Sequence, residues 1–282
     1  MILAVASGKG GTGKTTVALC LALSADRPVQ LLDCDVEEPN CHLFLKPQIH
    51  RRDAVTLLVP VVDAAKCDGC GKCRQLCQFN AIAVLKGKAA IFPELCHSCG
   101  GCAKICPTHA IREVEREIGS VEHGSSNGVE FVTGSLNVGQ PLAPAVIRAV
   151  KRHATGDDLT ILDSPPGTSC AMVATVRDAD HVLLVTEPTP FGLHDLKLAA
   201  DTVRELGRSF SVVINRADIG DKRVVEYCRA ENIPVRLQIP EDRRIAEAYS
   251  RGEPILSARP ELRDDFQKLL VTLTNQSEGP KP

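Results

Sequence analysis

Short apolar runs alternate with longer amphipathic segments along most of the chain. The near-continuous apolar runs, such as LAVA and VLLV, are typical of strands in a parallel sheet that is covered on both faces. We predict strands over Ile2–Ser7, Val29–Asp35, Thr160–Asp163, His181–Glu187, Ser211–Asn215 and Val235–Ile239. We predict helices over Lys14–Ala25, Pro144–His153, Ser169–Asp178, Gly192–Leu206, Lys222–Ala230, Arg243–Tyr249 and Glu261–Thr274. This alternation predicts an α/β fold with a doubly wound, mostly parallel sheet.

The alternation stops between Val59 and Ile111, where cysteines and glycines cluster and no long helix fits. After this stretch, Val114–Val121 and Val129–Val132 are typical of a hairpin around the turn region HGSSNG. The pattern predicts one discontinuous domain over residues 1–58 and 112–274, with a small α+β unit over residues 59–111 inserted into it. The polar residues 275–282 are predicted to be a disordered tail.

A glycine-rich loop, GKGGTGKTT over residues 8–16, follows the first predicted strand and precedes the first predicted helix. Strand, loop and helix in this order form the phosphate-binding P-loop, whose backbone N–H groups surround phosphate oxygens. Lys14 is predicted to contact the β and γ phosphates, and the Thr15 hydroxyl is predicted to bind Mg²⁺. The predicted nucleotide-binding residues of this loop are Gly8, Lys9, Gly10, Gly11, Thr12, Gly13, Lys14, Thr15 and Thr16.

Eight of the 13 cysteines repeat one spacing, C-x2-C-x2-C-x3-C, and this repeat resembles that of bacterial two-cluster ferredoxins. In such proteins the fourth cysteine of each run ligates the other cluster. The resemblance implies one 4Fe–4S cluster on Cys67, Cys70, Cys73 and Cys106, and a second on Cys96, Cys99, Cys102 and Cys77. Zinc is the alternative, because C-x2-C pairs also form zinc sites. One departure is Gln78, which stands where the ferredoxin pattern has proline.

Composition and charge narrow the classes of partner. The net charge of −2 lacks the basic excess typical of nucleic-acid binders, and no apolar run reaches the ~18–20 residues that span a bilayer. The amino terminus MILAVASGKGG lacks the charged segment of a signal peptide. We therefore expect a cytoplasmic protein that binds neither nucleic acid nor membrane, with cysteines that bind metal and do not form disulfides.

A second lysine, Lys9, gives the loop the form KGGTGKT, which resembles the deviant Walker A loop of the MinD/ParA family of P-loop ATPases. That family includes Mrp-type proteins and the nitrogenase iron protein. The resemblance implies that Lys9 reaches the nucleotide of a partner subunit in an ATP-dependent dimer. It implies that Asp35 in LLDCDVEEPN activates water, that Asp163 in TILDSPPGT holds Mg²⁺, and that Asn215 in VVINRAD contacts adenine. Lys9, Lys14 and Asp35 are thus the expected catalytic residues.

The combined motifs predict an ATP-hydrolysing iron–sulfur protein. We expect it to form a homodimer, or a heterodimer with a paralogous ATPase, whose nucleotide-dependent association gates electron transfer or cluster assembly on a redox or metallocofactor protein. A positioning or partitioning ATPase, with clusters as a redox sensor or structural element, is the alternative. An ATP-dependent amidating synthase shares the P-loop, but no glutaminase domain is visible in this sequence.

Overall fold

The computed structural model describes residues 1–155 and 158–277. Its strands are β1 Ile2–Ala6, β2 Val29–Asp33, β3 Gln48–Val62, β4 Ile82–Leu85, β5 Lys88–Ile91, β6 Ile111–Ser126, β7 Val129–Leu136, β8 Leu159–Asp163, β9 His181–Thr186, β10 Phe210–Asn215 and β11 Val235–Ile239. Its α-helices are α1 Lys14–Ser24, α2 Cys41–Leu45, α3 Lys72–Leu76, α4 Gly101–Ile105, α5 Ala143–Lys151, α6 Cys170–Val176, α7 Pro190–Glu205, α8 Arg223–Ala230, α9 Arg243–Ser250, α10 Ile255–Ala258 and α11 Leu262–Ser277.

Nine strands form one sheet in the order β11-β10-β9-β1-β8-β2-β7-β6-β3. The seven strands from β11 to β7 run parallel, while β6 is antiparallel to both β7 and β3. The predicted mostly parallel α/β sheet is confirmed. Its carboxyl ends meet at one edge, which is where ligands bind in open α/β sheets.

Helices cover both faces of the sheet, as the apolar strand runs require. One core contains Val17 and Leu21 of α1 with Phe266 of α11, and the other contains Val146 of α5 with Met172 of α6. All five side chains are almost fully buried. The parallel strands between these layers are buried along nearly their whole length, so their positions are set by apolar packing on both sides.

A long antiparallel pair at the edge of the sheet was not predicted from the sequence. Strand β3 pairs with β6 from Gln48↔Ser125 to Val62↔Ile111. The sequence predicted neither β3 nor the first residues of β6, because most β3 side chains are exposed and lack an apolar alternation. Pro60 is compatible with this edge position, since an edge strand leaves part of its backbone unpaired.

The turn that joins β6 to β7 is shorter than the predicted HGSSNG region. Strand β6 continues through Ser126, and only Asn127 and Gly128, both with positive φ, form the turn. This Asn-Gly pair is the preferred sequence of a two-residue hairpin turn whose twist matches that of the strands.

The carboxy-terminal helix ends at Ser277, so it includes the first three residues of the predicted disordered tail. Its apolar residues Leu269 and Leu273 are buried against the core, and this packing extends the helix past Thr274. The remainder of the predicted tail, residues 278–282, lies outside the described residues. Among the helices of the described ranges, none has both the length and the apolar character that a bilayer-spanning segment needs.

Candidate nucleotide site and cysteine segment

The phosphate loop connects β1 directly to α1. Gly13, with φ 94°, precedes the helix, which begins at Lys14. A Cβ atom on Gly13 would lie 2.5 Å from Asn215 Nδ2, so only glycine fits the backbone angle and the space. The first N–H groups of α1 have no partner within the helix and are available to an anion. The loop is therefore shaped to bind phosphate.

Thr15 and Asp163 form the part of the site that fits Mg²⁺. The Thr15 hydroxyl donates a 2.6 Å hydrogen bond to Asp163 Oδ2, and the Cys41 thiol lies 3.4 Å from the same oxygen. Asp163 Oδ1 is buried and accepts no hydrogen bond within the described part of the chain. A buried carboxylate oxygen without a partner beside a threonine hydroxyl matches the hard oxygen ligands that Mg²⁺ requires.

Asp33 organises the loop that follows β2. Its carboxylate accepts hydrogen bonds from the backbone N–H groups of Asp35, Asn40 and Cys41. Burial, together with the negative charge of Asp163, raises the pKa of Asp33 to about 8. A divalent cation beside Asp163 would favour the ionised form of both carboxyls, because it offsets their repulsion.

Asp35, predicted to activate water, lines the cleft together with Lys14. Burial raises its pKa to about 6, although the positive charge of Lys14 acts in the opposite direction. The carboxylate is thus the main form at neutral pH and can accept a proton or hydrogen bond from water.

The cleft of about 440 Å³ extends from the phosphate loop towards the loops after β10 and β11. Asn215, predicted to contact adenine, lines it and donates a 3.0 Å hydrogen bond from Nδ2 to the Thr12 carbonyl oxygen. The sequence prediction missed the other wall, which is formed by Arg216 and by residues from the β11–α9 connection and from α9. These are Pro240, Glu241, Asp242, Ile245, Ala246 and Tyr249. The sequence could have indicated this wall, because the predicted strand β11 ends at the same edge of the parallel sheet as β1, and ligands bind at that edge.

Lys9 is held by a residue of its own chain. Lys9 Nζ lies 3.4 Å from Glu187 Oε2, and Arg216 Nη1 lies 3.0 Å from Glu187 Oε1. Arg216 also contacts Glu241, which lines the cleft. The Lys9 side chain is 32% exposed, so it lies at the surface.

The cysteine-rich residues 63–110 lie between β3 and β6 and contain the short helices α3 and α4 and the β4–β5 hairpin. One cavity in this segment is lined by Cys67, Cys70, Cys73 and Cys106. These are the four residues predicted for one cluster, and the fourth comes from the second sequence run. Backbone N–H groups of Ala89 and Ala110 lie 3.5 and 3.3 Å from the Cys67 and Cys106 sulfurs.

The second predicted set of four cysteine ligands begins with Cys96, at the turn before α4. Cys96 Sγ accepts a hydrogen bond from the Ser98 N–H, and a Cβ on Gly101 would lie 3.8 Å from the Cys99 sulfur. Cys102 and Cys77 both pack against the small apolar cluster around Ile82 and Ile111. The structure places these four cysteines in the same segment, and their joint ligation of a second cluster remains a prediction.

The two cysteine runs repeat the same backbone conformation at an offset of 29 residues (96 − 67). The left-handed backbone angles recur at this offset in the pairs Gly69/Ser98, Gly71/Gly100 and Asn80/His109. Cys77 (φ −70°, ψ 107°) and Cys106 (φ −67°, ψ 113°) also match. The first run therefore keeps the backbone conformation of the second, although Gln78 follows Cys77 where Pro107 follows Cys106.

Cys170 is exposed and begins α6, just after the Asp163 loop. Gly8 packs on the backbone of Asp195, since a Cβ there would lie 2.0 Å from the Asp195 carbonyl oxygen. This close approach places the start of α7 directly against the phosphate loop.

Residues 3–255 match the family described as the CobQ/CobB/MinD/ParA nucleotide binding domain. The chain belongs to this family. It is 30% identical over 261 residues to an uncharacterised protein of Methanocaldococcus jannaschii, a match that covers 91% of both chains. It is 24% identical to the iron-sulfur cluster carrier protein of Aquifex aeolicus, over 92% of this chain and 63% of that protein.

Solved structures show the same fold. The septum site-determining protein MinD of Pyrococcus horikoshii, solved with Mg-ADP, superposes with a TM-score of 0.60 at 20% identity and covers 99% of both chains. The McdA protein of Cyanothece, solved without nucleotide, superposes with a TM-score of 0.56 at 18% identity, over 96% of this chain and 98% of that one. These likenesses support the fold.

Proposed function

We propose that this chain is an ATP-hydrolysing iron–sulfur protein in which nucleotide-dependent dimerisation gates electron transfer, or cluster or metallocofactor assembly, on a partner protein. Membership of a nucleotide-binding family supports the first half of this proposal. The cysteine segment, whose flanking strands β3 and β6 belong to the same sheet as β1, supports the second half.

The phosphate loop, Lys14, Thr15, Asp35 and Asp163 supply the parts that hydrolysis of ATP requires. Phosphoryl transfer depends mainly on positioning and on stabilisation of negative charge. Lys14 and the start of α1 would hold the phosphates, and Thr15 with Asp163 would hold Mg²⁺. Asp35 would orient the attacking water from the wall of the cleft.

The cysteine cavity fits an iron–sulfur cluster by its donors and by its surroundings. Four thiols line one cavity with the apolar residues Val84, Ala89 and Ile111, and N–H groups point at two of the sulfurs. Thiolates are the ligands of 4Fe–4S clusters, and hydrogen bonds to sulfur tune their reduction potential. When bound, such a cluster would store and release single electrons.

The proposed coupling rests on one observation, the direction in which the antiparallel pair of β3 and β6 (the β3–β6 hairpin) extends from the sheet. In the sheet register, Asp33 at the end of β2 pairs with Thr133 of β7, and Thr133 pairs with Glu122 of β6. Glu122 in turn pairs with Arg52 of β3, so these four residues lie at the same level of the sheet. Strand β3 continues ten residues beyond this level, to Val62, before the cysteine segment begins (62 − 52). The cysteines thus project from the same edge of the sheet as the nucleotide loops, where a nucleotide-dependent partner would meet both.

The test uses protein purified and reconstituted anaerobically. Wild-type protein should contain about eight iron atoms per chain if both predicted clusters form. Cys106→Ser should lower the iron and sulfide content, whereas Cys170→Ser should not.

ATP with Mg²⁺ should change the rate at which the reduced protein transfers electrons to a soluble acceptor, and Lys14→Ala should abolish that change. Equal rates with and without ATP in wild-type protein would refute the coupling.

The alternative, a positioning or partitioning ATPase, is favoured by the likeness to solved MinD and McdA structures. Such a protein needs a surface to act on. Co-sedimentation with anionic liposomes or with duplex DNA, in ATP and in ADP, distinguishes the two functions. ATP-dependent binding to either surface would favour the alternative.

A further inference from the structure

Three side chains with metal-binding atoms meet where the β3–β6 hairpin joins the main domain. Asp53 lies on β3, His123 lies on β6, and His153 follows α5. Their ligand atoms lie within 4.8 Å of one another. The residues come from three separate parts of the chain, so the fold itself brings them together.

One nitrogen of this group has no hydrogen-bond partner although it is buried. Asp53 Oδ2 and His123 Nε2 are both shielded from solvent and lie 3.4 Å apart. His123 Nε2 makes no hydrogen bond in the described ranges, whereas Asp53 Oδ2 forms an ion pair with Arg51 Nε at 2.8 Å. Buried polar atoms are normally satisfied, because leaving one unpaired costs about 1–3 kcal/mol. A tetrahedral zinc ion with ligands at about 2.0–2.1 Å separates those ligands by roughly 3.3 Å. The observed separation therefore suits two ligands of one ion.

The scaffold holds the third ligand in place. The carbonyl oxygen of His153 accepts a 3.3 Å hydrogen bond from Gln30 Nε2, and Gln30 Oε1 accepts another from the Thr155 N–H. Lys151, at the end of α5, donates to the carbonyl oxygens of Ala174 and Thr175. The His123 and His153 rings meet edge to face, with centroids 4.3 Å apart.

Both imidazoles are partly buried, and each can offer a nitrogen lone pair when it is neutral. Arg51 donates a 3.0 Å hydrogen bond to Asp53 Oδ1, and its Nε also lies 2.8 Å from Oδ2. Arg51 is largely exposed, so it can retain the Oδ1 contact while Oδ2 turns to a cation.

We propose that Asp53, His123 and His153 bind a divalent transition-metal ion of the zinc class, separate from the nucleotide and cysteine sites. Two imidazoles and one carboxylate suit zinc and its first-row neighbours, with a fourth position open to water. The ion would join β3 and β6 to the segment after α5. It would thereby fix the base of the hairpin that carries the cysteine segment.

The test measures zinc in cluster-loaded protein, because free cysteines would also bind it. Protein is dialysed anaerobically against micromolar zinc, passed over a chelating resin, and assayed for zinc, iron and sulfide. Wild-type protein should retain about one more zinc per chain than His123→Gln, His153→Gln or Asp53→Asn, at equal iron content. His50→Gln is the matched control, since His50 is an exposed histidine on the same strand. It should retain the zinc.

X-ray absorption at the zinc edge of the wild-type protein provides a second measurement that needs no variant. Nitrogen and oxygen ligands alone would support the site, whereas sulfur ligands would place the zinc on the cysteines and overturn the proposal. Equal zinc retention by the wild type and the three variants would also overturn it. Loss of zinc from His50→Gln would overturn the assignment to these three residues.

Discussion

The contact between Lys9 and Glu187 predicts that a single charge removal strengthens dimerisation. In this chain Glu187 holds Lys9 at 3.4 Å, so Lys9 must leave this partner before it can reach the nucleotide of a second subunit. Glu187→Gln removes the negative charge and keeps the shape of the side chain. Arg216 retains its contact with Glu241 in the variant, so it is not left without a partner.

The expected change in the dimer dissociation constant follows from how exposed the Lys9–Glu187 pair is. Lys9 is one-third exposed, and its contact with Glu187 is longer than a hydrogen bond, so we assign it about 0.5–1 kcal/mol after screening by solvent. Two such contacts break when a symmetric dimer forms, which gives about 1–2 kcal/mol per dimer. At about 1.4 kcal/mol per tenfold change, the dimer dissociation constant should fall by roughly 5- to 30-fold.

Sedimentation equilibrium in ATP and Mg²⁺ measures this constant, with Asp35→Asn in both proteins so that ATP is not consumed. Glu231→Gln is the control, because it removes a charge that contacts Arg204 but not Lys9 and does not line the cleft. It should leave the dimer constant within about twofold. An unchanged or weaker dimer in Glu187→Gln would refute the release of Lys9 as a step in association.

Three further predictions concern the nucleotide and cysteine sites. Gly13→Ala should weaken ATP binding more than tenfold by calorimetry, because its φ of 94° and its approach to Asn215 exclude a Cβ; Gly207→Ala, with φ 65° but open space around it, should bind ATP normally. The rate of ATP hydrolysis should fall as the pH drops through about 6, since burial raises the pKa of Asp35 to that value and protonation removes the carboxylate that orients water; a flat rate from pH 5 to 8 would contradict this. Thr15→Val should raise the Mg²⁺ concentration needed for half-maximal hydrolysis, because it removes the hydroxyl beside Asp163; an unchanged Mg²⁺ requirement would exclude Thr15 as a ligand.

The parallel strands were predicted almost to the residue because burial on both faces leaves a continuous apolar run. Val235–Ile239 matches its prediction fully, and β1 ends one residue before its predicted end. Strand β3 was missed for the converse reason. Its first residues, QIHRRD, are charged or exposed, and only pairing with β6 makes them a strand.

The residues of the candidate site that were predicted are those whose chemistry depends on local spacing. The phosphate loop and the two cysteine runs are of this kind. Other residues were missed because the groups they belong to are distant in sequence. These are Glu187, the wall around Tyr249 and the cluster of Asp53 with two histidines. Only the strand order and register bring such residues together.

The geometry of the sheet also limits how ATP can act on the cysteine segment. Strands β1 and β3 are five positions apart in the sheet, or roughly 24 Å at about 4.8 Å per strand. The ten residues of β3 beyond the level of Asp33 add about 33 Å along the strand.

The phosphate loop and the first cysteines are therefore roughly 40 Å apart within one chain, too far for the nucleotide to touch the segment. In the proposed function, the coupling passes through a body that contacts both. A second subunit that Lys9 engages at the nucleotide edge, and that also faces the projecting hairpin, satisfies this requirement. A variant that abolishes ATP-dependent dimerisation should consequently abolish the effect of ATP on electron transfer, even where it leaves ATP binding intact.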